Sequence, residues 1–100
     1  MVQATTPTFI LTLPQDIDLS LAHNVYFTIT QGKLAVTKSG EDLSIDANEV
    51  SVFMPQEETV LFAAGQCSLQ LNWTYQNGER CCTNIVTVEV QKNLVNEVLE

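Results

Sequence analysis

The sequence predicts an all-β protein with the architecture of an immunoglobulin-like two-sheet β-sandwich of about seven antiparallel strands. Three observations lead to this prediction. Apolar residues recur at every second position along most of the chain, no window carries a sustained helical repeat, and short polar turns separate the alternating runs. The chain has 100 residues, of which 45% are hydrophobic, and this suffices for one domain with one core.

The alternating runs share one apolar face each and are rich in β-branched or aromatic residues, as strands are. In the sixth run, Trp73 lies on the same face as Leu69 and Leu71, so we expect its side chain to be a core anchor. The seven predicted strands cover residues 9–13, 25–30, 34–37, 43–45, 50–54, 69–75 and 86–90.

The connections agree with an antiparallel arrangement. Polar turns are predicted at 31–32, 39–42 and 46–48. Asn77-Gly78 predicts a two-residue type I′ hairpin turn, because both residues tolerate a positive φ. This turn sets a register for the strands around it, in which Gln76 pairs with Glu79, Trp73 faces Cys82, Leu69 faces Val86 and Cys67 faces Val88.

Two segments outside the strands are predicted to contain a short turn, and one of the two turns is helical. Residues 56–59 form one helical turn with acids near its start, which places Phe62 toward the core. Residues 15–24 form a longer polar connection with a short turn after Asp18. We expect a single domain over residues 1–100, with a core from about residue 5 to 94 and a short C-terminal tail at 95–100.

The charge of the chain argues against several classes of partner. Twelve acidic residues against four basic ones give a net charge of −8 at pH 7. A nucleic-acid surface needs clustered Lys and Arg, so we expect no nucleic-acid partner. The apolar runs are only a few residues long, and no basic segment precedes an apolar one, so we expect neither a membrane span nor a signal peptide.

The cysteines are predicted to be free thiols. There are three of them, Cys67, Cys81 and Cys82, and an odd number with an adjacent pair does not form a disulfide framework. In the hairpin register, Cys67 lies about seven residues along the strand from Thr74, the partner of Cys81, and this distance of more than ~20 Å is far beyond the ~6 Å between the Cα atoms of a disulfide. Free thiols are typical of a reducing compartment.

The sequence offers no catalytic site, no cofactor site and no metal site. His23 is the one histidine and lies in a loop with no nucleophile motif around it. Asp16 and Asp18 have a D-x-D spacing that is common by chance, and no calcium-binding loop follows them. Glu57 and Glu58 are better explained as acids at the start of a helical turn than as a catalytic pair. We therefore expect a protein that is not an enzyme.

Four apolar residues are predicted to point away from the core, on the outer faces of the strands. Single exposed apolar residues are normal, but several on one small sandwich could form a docking patch. These candidate interface residues are Ile10, Tyr26, Phe53 and Ile85.

The order of these segments resembles a family of small structural proteins of tailed phages and prophages of Gram-positive bacteria. The chain is similar over about residues 5–98 to the amino-terminal domain of the phage baseplate upper protein. The resemblance rests on the order and spacing of short stretches: Thr6-Pro7-Thr8-Phe9 leading to Leu13-Pro14, Val25 to Thr30 ending in Gln31-Gly32-Lys33, Val50-Ser51-Val52 leading into Gln56-Glu57-Glu58-Thr59, and Leu69-Gln70-Leu71 through Asn77-Gly78 to Lys92-Asn93-Leu94.

This resemblance implies a β-sandwich that serves as a virion structural or adaptor protein of the tail tip or baseplate. It implies other phage tail or baseplate proteins as partners, with a homo-oligomer as a further expectation, and assembly in the bacterial cytoplasm. The alternative is a carbohydrate- or cell-surface-binding module, which needs exposed aromatic rings. The predicted core positions of Trp73 and Tyr75 count against that alternative.

Overall fold

The computed structural model describes residues 1–100 and contains two antiparallel sheets packed face to face, which confirms the predicted all-β sandwich. The eight strands are β1 (Thr8–Thr12), β2 (Asn24–Gln31), β3 (Leu34–Ser39), β4 (Leu43–Asp46), β5 (Glu49–Phe53), β6 (Gly65–Thr74), β7 (Arg80–Cys82) and β8 (Val86–Val90). One α-helical turn, α1 (Gln56–Thr59), and two 3-10 turns (Leu19–Leu21 and Gly40–Asp42) lie between them.

The two sheets differ in width. The smaller sheet has the order β1-β5-β4, and the larger has the order β3-β2-β6 with β7 and β8 sharing the far side of β6. In an immunoglobulin domain, the second strand belongs to the sheet of the first, fourth and fifth strands. Here β2 lies between β3 and β6 instead. The likeness to immunoglobulin domains is therefore one of architecture, and the larger sheet is four strands across while the smaller is three.

The core lies between β2 and β6 on one side and β5 on the other. Along β2 and β6 alternate residues are buried, because every second side chain of a strand points to the same face. Trp73 is only 4% exposed, and its indole N–H donates to the hydroxyl of Tyr75 at 3.2 Å, which confirms its predicted place in the core. The buried apolar residues are Leu19, Val25, Phe27, Ile29, Val50, Val52, Met54, Phe62, Cys67, Leu69, Leu71, Trp73 and Val90.

The hairpin at Asn77-Gly78 is present, but its predicted turn type is wrong. The amide N–H of Gly78 donates to the carbonyl of Tyr75, and that of Tyr75 donates to the carbonyl of Glu79. The loop therefore has three residues, and only Gly78 has a positive φ, +91°. A three-residue loop that ends on a left-handed glycine is the next common way to join two strands. As a result Trp73 pairs with Cys81 and not with Cys82.

One extra residue between β7 and β8 restores the predicted register. Three residues, 83–85, lie opposite two residues of β6, which is a β-bulge. Thr83 satisfies the interrupted ladder, because its N–H donates to the carbonyl of Leu71 and its hydroxyl accepts from the N–H of Leu71. Beyond the bulge, Leu69 pairs with Val86 and Cys67 with Val88, as predicted.

The helical turn at 56–59 was predicted, and the turns predicted after Asp18 and at 39–42 each contain a 3-10 turn. Asp18 caps the first 3-10 turn by accepting a hydrogen bond from the N–H of Ser20 at 3.0 Å. Helix α1 is followed by the fully buried Phe62. An ion pair joins α1 to β3, with the Lys38 Nζ 2.6 Å from the Glu58 Oε1. No helical segment is long and apolar enough to cross a lipid bilayer.

The N-terminal residues belong to the packed structure. Val2 forms a parallel bridge with Gln91 at the end of β8. The side chain of Gln3 is buried, and its amide donates to the carbonyl of Phe62 at 2.8 Å. The amide N–H of Asn93 donates in turn to the Gln3 Oε1. Residues 1–3 therefore contribute to the fold, ahead of the predicted start of the core at about residue 5.

Replacing Trp73 with alanine tests the packing of the core. We expect Trp73→Ala to lower the free energy of unfolding by about 3–5 kcal/mol, because it leaves a large cavity between the sheets. A domain of this size has about 5–15 kcal/mol in total, so the variant should be largely unfolded or much less stable in urea denaturation. The exposed ring of Tyr26 provides the control, since Tyr26→Ala should cost less than about 1 kcal/mol. Equal losses for the two variants would contradict this account of the core.

Candidate docking surfaces and functional residues

The four predicted interface residues are exposed, but they do not form one patch. Ile10 is 63% exposed, Phe53 53%, Ile85 65% and Tyr26 38%. Ile10 on β1 and Phe53 on β5 point outward from the smaller sheet, whereas Tyr26 points outward from β2 in the larger sheet. The outer faces of a sandwich point in opposite directions, so a single patch of all four residues is not possible.

Ile10 and Phe53 lie close together on the smaller sheet. Ile10 pairs with Ser51 and Thr8 pairs with Phe53, so Ile10 and Phe53 are diagonal neighbours on the same face. Side chains in this relation are within reach of each other when one is aromatic or long. They form an exposed apolar pair that the fold itself does not use.

Ile85 is exposed for a different reason from the one predicted. It lies in the bulge at 83–85 rather than on a regular strand, and the bulge turns its side chain out of the larger sheet. There it borders a shallow depression together with Thr28 and Thr30.

An apolar groove opens beside β1, at the side of the sandwich where the two sheets differ in width. Its volume is about 460 Å³, which is within the range of ligand-binding clefts. We call it the β1 groove, and it is lined by residues 9–12 of β1 with Leu13 after them and, across from them, by Leu69, Thr83, Asn84, Val86 and Val88. Val86 is 48% exposed and Val88 is half-buried, although their partners on β6, Leu69 and Cys67, are buried.

The backbone of β1 is unpaired along this groove. The carbonyl of Pro7 accepts from the N–H of Met54, and the N–H of Leu13 donates to the carbonyl of Asn48. The odd-numbered residues of β1 thus face β5, and by the alternation of an antiparallel ladder Thr8, Ile10 and Thr12 direct their N–H and C=O groups away from it. No strand lies on that side of β1.

A second, polar depression lies on the outer face of the larger sheet. Tyr26, Thr28, Asn72, Thr74 and Arg80 line a space of about 410 Å³. The Arg80 guanidinium donates to the Asn72 Oδ1 at 3.0 Å, which holds it flat against the sheet. This surface combines one exposed ring with hydroxyl, amide and guanidinium groups.

The residues considered for catalysis or metal binding have structural roles or stand apart. Asp18 caps a 3-10 turn, and Glu58 pairs with Lys38. His23 is exposed beside a small depression next to Leu19. No group of three or more His, Cys, Asp or Glu side chains is placed to hold a metal ion.

The three cysteines are free thiols in three different environments. Cys67 is buried and its thiol donates to the carbonyl of Val88, Cys81 is half-buried, and Cys82 is exposed. Burial raises the pKa of the Cys67 thiol, because the low-dielectric core disfavours its thiolate, and the positively charged N-terminus opposes this shift in part. Cys67 lies six residues along β6 from Trp73, the partner of Cys81, which is about 20 Å and too far for a disulfide.

The β1 groove is not among the sequence-based predictions, although the sequence carries a signal for it. Residues 2–15 contain no charged side chain, while the rest of the chain carries all twelve acids and four bases. An edge strand without charge is unusual, because edges are commonly guarded by charged residues. Recognising β1 as an edge, however, requires the strand order.

Comparison of the chain with protein-family models, with curated proteins and with solved structures gave no match in any of the three.

Cysteine alkylation tests both the free thiols and their environments. Under denaturing conditions without reductant, all three cysteines should take up the label, as read by peptide mass spectrometry. In the native protein we expect Cys82 to react first and Cys67 last, and the rate for Cys67 should rise only at higher pH, because its thiolate forms there. Fewer than three labels in the denatured chain, or Cys67 reacting as fast as Cys82 in the native one, would contradict this assignment.

Proposed function

We propose that this chain is a non-enzymatic structural or adaptor protein of a phage or prophage virion, in the tail tip or baseplate, that acts through protein–protein contacts. Its partners would be other tail or baseplate proteins, and it would assemble with them in the bacterial cytoplasm. The order of sequence segments that resembles the baseplate upper protein family is the source of this proposal.

The observation that supports it most is the exposed apolar surface around β1. Ile10 and Phe53 are each more than half exposed on the outer face of the smaller sheet, and the β1 groove lies beside them. Apolar and aromatic groups that a small fold leaves outside its own core are typical of the centre of a protein interface. Free thiols are consistent with assembly in a reducing compartment.

Co-expression with the products of neighbouring genes tests the proposal. We expect the chain to purify as a stoichiometric complex with at least one protein encoded beside tail-measure or portal genes. The double substitution Ile10→Ser with Phe53→Ser should weaken that complex about tenfold or more. Tyr26→Ser, on the opposite face, is the matched control and should leave it intact. Absence of a complex with every neighbouring product would contradict the proposal.

Light scattering tests whether the chain also assembles with itself. Two copies with a charge of −8 repel each other, but this repulsion is screened beyond about 8 Å at physiological salt, whereas apolar contacts are not. A homo-oligomer held by Ile10 and Phe53 should therefore persist or strengthen as salt rises. A monomer at low and at high salt would leave only the version with a different partner protein.

The alternative function is carbohydrate or cell-surface binding, and one observation favours it. The polar depression around Tyr26 places a ring beside Asn72 and Arg80 on an open sheet face. The buried position of Trp73 and the half-buried position of Tyr75 leave Tyr26 as the one exposed ring among the tyrosines and tryptophan. If wall polysaccharide binds and Tyr26→Ala abolishes binding, while Ile10→Ser with Phe53→Ser does not, the alternative replaces the proposal.

A further inference from the structure

The other outer edges of the sandwich have features that discourage pairing with a further strand, and β1 lacks them. Strands β4 and β7 are only four and three residues long, and each carries a charged residue, Asp46 and Arg80. On β3, the inward-facing Lys38 is an edge charge held by Glu58. At the C-terminal end of β8, the N-terminal residues cover the edge, since the amino group of Met1 donates to the carbonyl of Glu89 and the N–H of Gln91 donates to the carbonyl of Met1. Inward charges and covering segments are established ways to prevent an edge from pairing with another strand.

Edge β1 carries none of these protections within its bounds. Its five residues, Thr8–Thr12, are uncharged, contain no proline and are β-branched, aromatic or leucine. Its unpaired N–H and C=O groups at Thr8, Ile10 and Thr12 form a template for one more strand. An edge of this composition without protection is what a strand-accepting site requires.

The β1 groove has the shape of one missing strand. The larger sheet is four strands across and the smaller is three. Strand β8, with Val86 and Val88, therefore has no strand of the smaller sheet packed opposite it. A strand paired with β1 would lie about 4.8 Å beyond it and about 10 Å above β8, which are the ordinary spacings within and between sheets. Its inward side chains would cover Val86 and Val88.

A second copy of this chain does not fit that position. In a twofold dimer the two β1 strands would pair antiparallel, and each copy would bring its own wider sheet to the same side. Strand β8 of one copy would then occupy the space of the larger sheet of the other copy, because β8 already extends one strand beyond β1. The groove therefore has room for a lone extended segment and not for another sandwich.

Acidic residues beyond one end of the groove indicate the chemistry of that segment. The groove itself is uncharged, but at the Leu13 end the loop after β1 meets the β4–β5 turn, as shown by the hydrogen bonds from Leu13 to Asn48 and from Leu19 to Ala47. The loop carries Asp16 and Asp18, and the turn is flanked by Asp46 at the end of β4 and Glu49 at the start of β5, with no Lys or Arg in either segment. A basic residue on the occupant would be favoured at this end.

We propose that the β1 groove accepts one extended segment of a partner protein, which adds as a strand to β1, is apolar at alternate positions and carries Lys or Arg at the Leu13 end. This inference rests on the proposed function in that it names the kind of partner segment. Main-chain hydrogen bonds to Thr8, Ile10 and Thr12 would give affinity, and apolar side chains above Val86 and Val88 would give specificity.

A synthetic peptide tests the groove without knowledge of the partner. The probe is a fluorescein-labelled peptide of alternating threonine and valine with lysines at one end, and its binding is measured by fluorescence anisotropy. We expect it to bind, and to bind less tightly at high salt because the lysines face the acidic end. The same peptide with a central proline should bind at least about tenfold more weakly, because it cannot complete the ladder. Equal affinity for the two peptides, or no binding of either, overturns the inference.

A substitution on β1 tests whether the peptide binds at this strand. Ile10→Pro removes an N–H that points into the groove and that the fold does not use, and an edge strand tolerates proline at such a position. We expect it to weaken binding about tenfold or more. Ala35→Pro on the opposite edge strand β3 is the matched control, because Ala35 is exposed and its N–H also faces away from the neighbouring strand; it should leave binding unchanged.

A second variant keeps the test decisive if Ile10→Pro proves unstable in thermal unfolding. Val86→Lys places a charge on the half-exposed floor of the groove and should weaken the peptide to a similar extent. If the chain binds the peptide but forms no complex with tail proteins, the inference about the groove is supported and the proposed function is refuted. If a complex with a tail protein forms equally well with both variants, Ile10→Pro and Val86→Lys, the proposed function is supported and the inference that the groove binds the partner is refuted.

Discussion

The position of β2 between β3 and β6 determines most of this structure. It gives the larger sheet a continuous apolar inner face, on which Phe27 and Leu71 are fully buried. It also makes that sheet one strand wider than its partner, since the smaller sheet keeps only β1, β5 and β4. Unequal widths leave a strip of apolar surface that no strand of the chain covers. The exposed valine of β8 and the β1 groove are both consequences of this one feature of strand order.

The segment after β6, which contains β7 and β8, shows how a loop and a bulge together keep the apolar side chains of β8 in the core. The three-residue loop at Gln76–Gly78 shifts the pairing by one residue, and this shift would turn the inner face of β8 outward if it continued, because a strand has a period of two. The bulge at 83–85 adds one residue and cancels the shift, so that Val88 and Val90 face the core again. The same bulge turns Ile85 outward and brings Thr83 and Asn84 to the groove.

The sequence was sufficient for the features that depend on alternation. The seven predicted strands, the core position of Trp73 and the helical turn before Phe62 all follow from local patterns and are present. The short β7 was not predicted as a strand, because three residues are too few to show a period. The predicted hairpin type was wrong because Asn-Gly suits both a two-residue turn and a three-residue loop, and the choice depends on the rest of the ladder.

The candidate surfaces were less predictable than the core. Outward-facing side chains could be identified strand by strand, and Ile10, Tyr26, Phe53 and Ile85 are indeed exposed. Which of them share a face depends on which sheet each strand joins, and that is a long-range property. The β1 groove depends on strand order too, so no local pattern could place it, even though the uncharged run at 2–15 was visible.

Amide hydrogen exchange of the free protein tests the unpaired β1 edge most directly. If β1 is bonded only to β5, the amides of Phe9, Leu11 and Leu13 should be protected, while that of Ile10 between them should exchange at a rate close to that of an open chain. This alternation would show that the groove side of β1 is free in solution. Equal protection of Ile10 and Leu11 would mean that another segment already pairs with this edge, and would contradict the account of a sheet that is one strand short.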